Sequence, residues 1–127
     1  NQQFIYSLRR MLDPVKEHVD NNFNPLPAEY INEFAPVRQK INDLMKMSCE
    51  QIETNRYENY REILAEADAC KDELSVLRKK HIDRLQNMKD NSLMQISLVY
   101  LNILQESQEF LSVMRHQLRA AKKFMEA

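Results

Sequence analysis

The sequence predicts an all-α protein, an antiparallel helical bundle of three long helices plus an N-terminal helix. Three observations carry this prediction. The chain of 127 residues contains no glycine, where an average chain has about 7%. Apolar residues recur in steps of three and four over four stretches. Short runs of Asn, Asp and Pro separate those stretches, and such residues turn a chain that has no glycine. Tight β-hairpins draw on glycine for positive φ, so its absence disfavours them.

The first stretch is amphipathic through Phe4, Ile5, Leu8, Met11, Leu12, Val15 and Val19. Pro14 interrupts it, which predicts either one kinked helix or two short ones with Asp13 as the cap. Residues 21–27 (Asn-Asn-Phe-Asn-Pro-Leu-Pro) read as a connector, with Pro27 opening the next helix. The second stripe runs through Ile31, Phe34, Val37, Ile41, Leu44/Met45, Ser48 and Ile52. Pro36 frees the carbonyl of Asn32 and predicts a kink. The turn is placed at 53–56, with Asn55 in the left-handed conformation that glycine usually takes.

The third stripe is Tyr60, Ile63, Ala67, Cys70, Leu74, Leu77, His81, Leu85 and Met88, at near-heptad spacing. A second turn is placed at 89–92, with Ser92 and Gln95 as a capping box. The last stripe, over 92–125, contains Leu93, Ile96, Tyr100, Ile103/Leu104, Phe110/Leu111, Met114, Leu118, Ala121 and Met125. It predicts a helix of about thirty residues, on the order of 45 Å long. Short turns make helices two, three and four antiparallel neighbours. The start at Asn1, without Met and almost at once helical, suggests a domain of a larger polypeptide.

Composition narrows the function. Without glycine there is no phosphate loop and no dinucleotide fingerprint. A net charge of −1 gives no global case for nucleic acid or for an anionic surface. No stretch reads as a signal peptide or a membrane span; Gln95, Asn102, Gln105 and Glu106 interrupt the most apolar segment. Cys49 and Cys70 lie far apart and in no metal spacing, so reduced thiols are expected, with Cys70 an inert residue on a core stripe. Val15, Arg78 and Val113 stand three residues before His18, His81 and His116, so the Glu-x-x-His pattern of di-iron bundles is absent. His81 falls on an apolar stripe and reads as a packed, hydrogen-bonded core histidine.

Two constellations remain. Asp68 and Asp72 share one face of the third helix, and Glu106 and Glu109 one face of the fourth. Antiparallel packing would bring the pairs together near mid-length, a carboxylate set suited to Mg, Mn or Fe, with Zn a further candidate. The plain alternative is a solvated helix face with intrahelical ion pairs. Arg78-Lys79-Lys80 and Arg115, His116, Arg119, Lys122 and Lys123 are basic runs near helix C-termini, where the helix dipole favours cations. A phosphate, acidic lipid or acidic protein could also contact them. No nucleophile–base pair or cofactor fingerprint can be assembled, so an enzyme is not expected.

Three segments carry a family resemblance: Glu17-His18-Val19-Asp20-Asn21-Asn22; Leu77-Arg78-Lys79-Lys80 followed by Ile82 and Arg84; and Tyr100-Leu101-Asn102-Ile103-Leu104-Gln105-Glu106. In this order and spacing the chain resembles the C-terminal cytoplasmic tail of bacterial PiT-type inorganic phosphate transporters, as in Bacteroidetes-like sequences. The resemblance implies a helical tail related to PhoU, following a transmembrane transporter domain, at the cytoplasmic face of the inner membrane. It implies a regulatory or assembly role in phosphate transport, with the transport pathway upstream. Membrane contact would come only through that upstream part, a homo-oligomer is a further expectation, and nucleic acid is not. PhoU-like bundles carry an acidic-x-x-x-Asp motif that holds metal. Asp68-Ala69-Cys70-Lys71-Asp72 matches it with Asp in first place. Leu104-Gln105-Glu106 resembles the second acidic segment, but Ser107, Gln108, Glu109 and Phe110 stand where the family has Asp-His. Two other readings stay open: a carboxylate metal-binding bundle, and a stand-alone oligomerising module.

Overall fold

The computed structural model describes residues 2–23 and 26–126, without the side chains of residues 2–4, 7, 11, 22 and 23. Four helices, and no strand among the described residues, make the predicted bundle: α1 (Gln2–Phe23), α2 (Ala28–Thr54), α3 (Tyr60–Gln86) and α4 (Asn91–Glu126). The predicted stripe positions Phe4 and Met11, and 22–25 of the connector, lie outside the described side chains.

Pro14 and Pro36 both sit inside continuous helices, so the first stretch is one helix rather than two. Pro27 caps α2 from outside: its carbonyl accepts the N–H groups of Tyr30 (3.0 Å) and Ile31 (3.1 Å). Asn55 takes the left-handed conformation (φ 54°, ψ 29°) expected of it. Its N–H donates to Ile52 O and that of Arg56 to Gln51 O, the paired closing bonds of a Schellman turn. The start of α4 differs from expectation. Asp90, not Ser92, is the cap: its carboxylate accepts from the backbone N–H (2.9 Å) and hydroxyl (2.7 Å) of Ser92. An anion sits better before a helix than a hydroxyl inside it, because the first-turn N–H groups point back toward it.

α4 lies against all three other helices, and α1 is its antiparallel neighbour. His18 meets Glu106, whereas Arg9 near the start of α1 lies beside Cys49 near the end of α2. One end of the bundle therefore gathers the start of α1, the 55–59 turn and the end of α4. The other gathers the start of α2, the end of α3 and the start of α4.

One core cluster includes Leu8, Leu12, Phe34, Ile52, Ile63, Leu74, Tyr100, Ile103, Leu104, Leu111, Met114 and Leu118, all essentially without solvent contact. Burying each contributes roughly 1.5–3 kcal/mol. The third stripe packs as expected from Ile63 to Leu74. On α2 the structure buries Tyr30 and leaves Ile31 half-exposed. At the start of α4 it buries Ser97 and leaves Leu93 and Ile96 exposed. Both departures have one cause, a polar cluster that fixes which side of each helix faces inward.

Candidate functional site

That cluster lies where the start of α2 meets the end of α3 and the first turns of α4. Glu33 is the anion at its centre. Tyr30 and Phe34 on the buried face of α2 carry Glu33 to the edge of the core, and its side chain is 10% exposed. Arg84, one turn after the buried His81, reaches across from α3. Its two terminal nitrogens donate to the two Glu33 oxygens at 3.0 and 2.6 Å, a bidentate pair, and one also reaches Glu29 at 3.1 Å. Lys80 adds a contact at 3.2 Å, and the Tyr100 hydroxyl on α4 donates to Glu33 at 2.8 Å. Three helices thus converge on one carboxylate.

His81 forms the inner wall. Its Nε2 lies 2.7 Å from the backbone carbonyl of Ser97, which only accepts, so Nε2 carries the hydrogen. Nδ1 then faces a guanidinium nitrogen of Arg84 at 3.3 Å with its lone pair. Both nitrogens are engaged in the neutral tautomer, and a second proton would point at a cation. The rings close the cluster. Tyr30 stacks on Tyr100 (4.7 Å, 7°), and His81 stands edge-on to both. The Arg84 guanidinium lies over the Tyr30 ring at 5.2 Å, and the Tyr30 hydroxyl bonds that of Ser97 at 3.0 Å.

The electrostatics follow from this geometry. Burial pushes the Glu33 carboxyl up, but hydrogen bonds from Arg84, Tyr100 and Lys80 outweigh it and hold it at about 2. Burial, then the nearby Glu33 anion, drives the Tyr100 hydroxyl far above its usual range. Burial holds the His81 imidazolium form down. Each group is locked in one protonation state across neutral pH. An acid–base pair needs a group able to change state there. The arrangement can fasten α2, α3 and α4 in register.

The residues singled out in sequence are placed as follows. Asp68 pairs with Arg115 at 3.1 Å, and Arg115 also donates to the Leu64 carbonyl at 3.4 Å. Glu106 pairs with His18 at 3.4 Å. Asp72 and Glu109 are exposed. No group of three or more His, Cys, Asp or Glu side chains that could hold a metal ion exists among the described residues. The carboxylate pairs are therefore not brought to one site. Their helices meet instead through Gln108, which donates to Ser75 Oγ (2.7 Å) and Lys71 O (3.1 Å) and accepts from Arg78 (3.0 Å).

The two basic runs part company. Arg78 and Lys80 turn to the α3 interfaces just described, and Lys79 is exposed. Arg115, His116, Arg119, Lys122 and Lys123 line one face of α4 beside Tyr60, around a shallow depression of about 680 Å³. Both cysteines are free thiols, and burial pushes Cys70 up to about 11.

Glu33 escaped the sequence reading because a lone Glu beside an apolar stripe looks like any solvated helix residue. The available signal was indirect. His81 and Tyr100 put two polar-tipped rings on the predicted apolar stripes, and buried rings of that kind need polar partners. No helix among the described residues is long and apolar enough to cross a membrane. Compared with known proteins, the chain matches no protein family, no curated protein and no solved structure.

Proposed function

We propose that this chain is a non-catalytic helical module that works by contact, regulating or assembling the polypeptide it belongs to. The observation that carries the reading is the use made of the buried titratable groups. Glu33, Arg84, His81 and Tyr100 bind one another and hold helices in place. The resemblance of the chain to PiT-type tails supports the finer reading, a domain at the cytoplasmic face of an inorganic phosphate transporter. There it would bias the attached transmembrane domain through contacts that differ between its states.

The test is made in the complete polypeptide. Deleting residues 1–127 is expected to change phosphate uptake, its response to phosphate supply, or the oligomeric state. If all three stay as in the intact protein, the regulatory and assembly reading falls. Fractionation with an antibody to this domain checks the setting. A large integral-membrane band is expected, and a non-membrane band near 15 kDa overturns the transporter reading.

One observation favours assembly over regulation alone. Leu93, Ile96 and Val99 follow one another a turn apart on α4 and are all exposed. An apolar run of this kind is a usual means of self-association. Light scattering of the chain is expected to give a mass above the monomer, and L93S/I96S to return it to the monomer.

A further inference from the structure

The end of α4 combines two features. The first is charge. His116, Arg119 and Lys123 repeat in steps of three and four, so they form one line along the helix, about 10 Å long at 1.5 Å rise per residue. All three are exposed, and none forms an ion pair with another described residue. Arg115 and Lys122 flank them toward α3 and are held there, by Asp68 in one case and by Glu126 and the Tyr60 ring in the other. The second feature is apolar. Lys122 lies over Tyr60, the first residue of α3, so α4 runs on about one turn past the helix beside it. That turn holds Phe124, 57% exposed, and Met125, 45% exposed.

The helix dipole explains cations in a last turn. It does not explain why an aromatic and a methionine stand about half exposed among them. Basic side chains along a helix face with exposed aromatic and Met residues at its tip match an interfacial surface. Cations there meet lipid phosphates while rings and thioether chains enter the headgroup boundary. We propose that the C-terminal end of α4 docks on an anionic membrane surface. Arg119 and Lys123 would contact headgroup phosphates, and Phe124 and Met125 would enter the interface. For its setting the inference rests on the cytoplasmic-face reading above, but the binding is a property of this surface. It gives the bundle an orientation, with the 55–59 turn and the end of α4 toward the bilayer and the Glu33 cluster away from it.

The test uses this chain with phosphatidylcholine vesicles and with vesicles in which roughly a third of the lipid is phosphatidylglycerol, followed by sedimentation. Each cation near an acidic surface is worth about a fivefold change in partitioning. R119Q/K123Q is therefore expected to lower binding to the acidic vesicles about 25-fold, and raised salt to weaken it further by screening. F124S is expected to weaken binding without changing its salt dependence. Helicity measured alongside separates lost binding from lost folding, and these exposed positions leave the core untouched. Equal binding to both vesicles, no binding at low salt, or full binding by R119Q/K123Q overturns the proposal. So does capture of soluble polyglutamate in place of vesicles, which would assign the surface to an acidic protein. Failure here, with the intact polypeptide still in membranes and uptake still altered by the deletion, removes the docking surface and leaves the proposed function standing.

Discussion

The two ends of this bundle use charge in opposite ways. At one end Glu33, Arg84, Lys80, His81 and Tyr100 are gathered at the core edge, and each polar tip is matched by another. At the other, His116, Arg119 and Lys123 point to water along the last turns of α4. The same residue types fasten helices in the first place and present a surface in the second. Solvent makes the difference. A bidentate Arg–carboxylate pair withdrawn from water resists screening, and removing one partner strands the other. An exposed cation is hydrated, screened and nearly neutral in its effect on folding.

Substitutions at the two ends test this contrast, and the largest effect is expected at Arg84. Arg84→Ala leaves Glu33 at the core edge with only Tyr100 and Lys80, and is expected to destabilise the fold by about 3–4 kcal/mol in urea unfolding. Pairing Arg84→Met with Glu33→Gln removes both charges and is expected to recover most of that loss. If the double variant is no better than Arg84→Ala, the pair is not the unit described here.

Acid titration probes the same end. The Glu33 carboxyl lies below its unfolded value, so the folded state binds fewer protons and stability falls as pH drops. The loss runs from about 4.5 toward 2 and amounts to about 3 kcal/mol. His81 acts earlier in the same direction. Its folded value is depressed, so the unfolded chain takes up the proton first and stability declines as pH falls through about 6.5. His81→Gln should flatten that upper limb, seen in thermal melts at several pH values, and leave the lower one.

Tyr100→Phe removes one donor to the Glu33 carboxylate and keeps the ring stack, for an expected loss of about 1.5–3 kcal/mol. Asp90→Ala removes the cap of α4 and is expected to lower stability by about 1 kcal/mol. The smallest effect belongs to the far end. Arg119→Gln and Lys123→Gln should each stay within about 0.5 kcal/mol of the parent protein. A loss there as large as that at Tyr100 would erase the contrast between the ends.

Much of the fold was legible because helical periodicity is a local property. Steps of three and four mark a stripe whatever it packs against, so the four helices and most of the core from Phe34 to Leu118 follow from spacing. Asn55 was legible for the same reason: a left-handed closing residue in a chain without glycine has few candidates. The candidate site was much less legible. His81 could be read as a bonded core histidine, but not with which partners. Its Ser97 carbonyl and Arg84 contacts join residues that sequence leaves unrelated. Asp68 and Glu106 read as possible neighbours, yet Asp68 pairs with the Arg115 cation and Glu106 meets His18 on α1, a helix whose place beside α4 spacing alone does not give.

The sequence by itself determined the class of structure, the helix number, the left-handed turn at Asn55 and the two basic runs. Each depends only on neighbours within a turn or two. Tertiary structure alone decided that Tyr30 and Ser97 face inward while Ile31, Leu93 and Ile96 do not. It also decided that Glu33 becomes the anion on which three helices converge, and that Arg78 bonds across to Gln108 on α4 while Arg119 and Lys123 stay in water. A charge or a ring acquires its role from what is packed against it, and those partners lie up to 67 residues away along the chain.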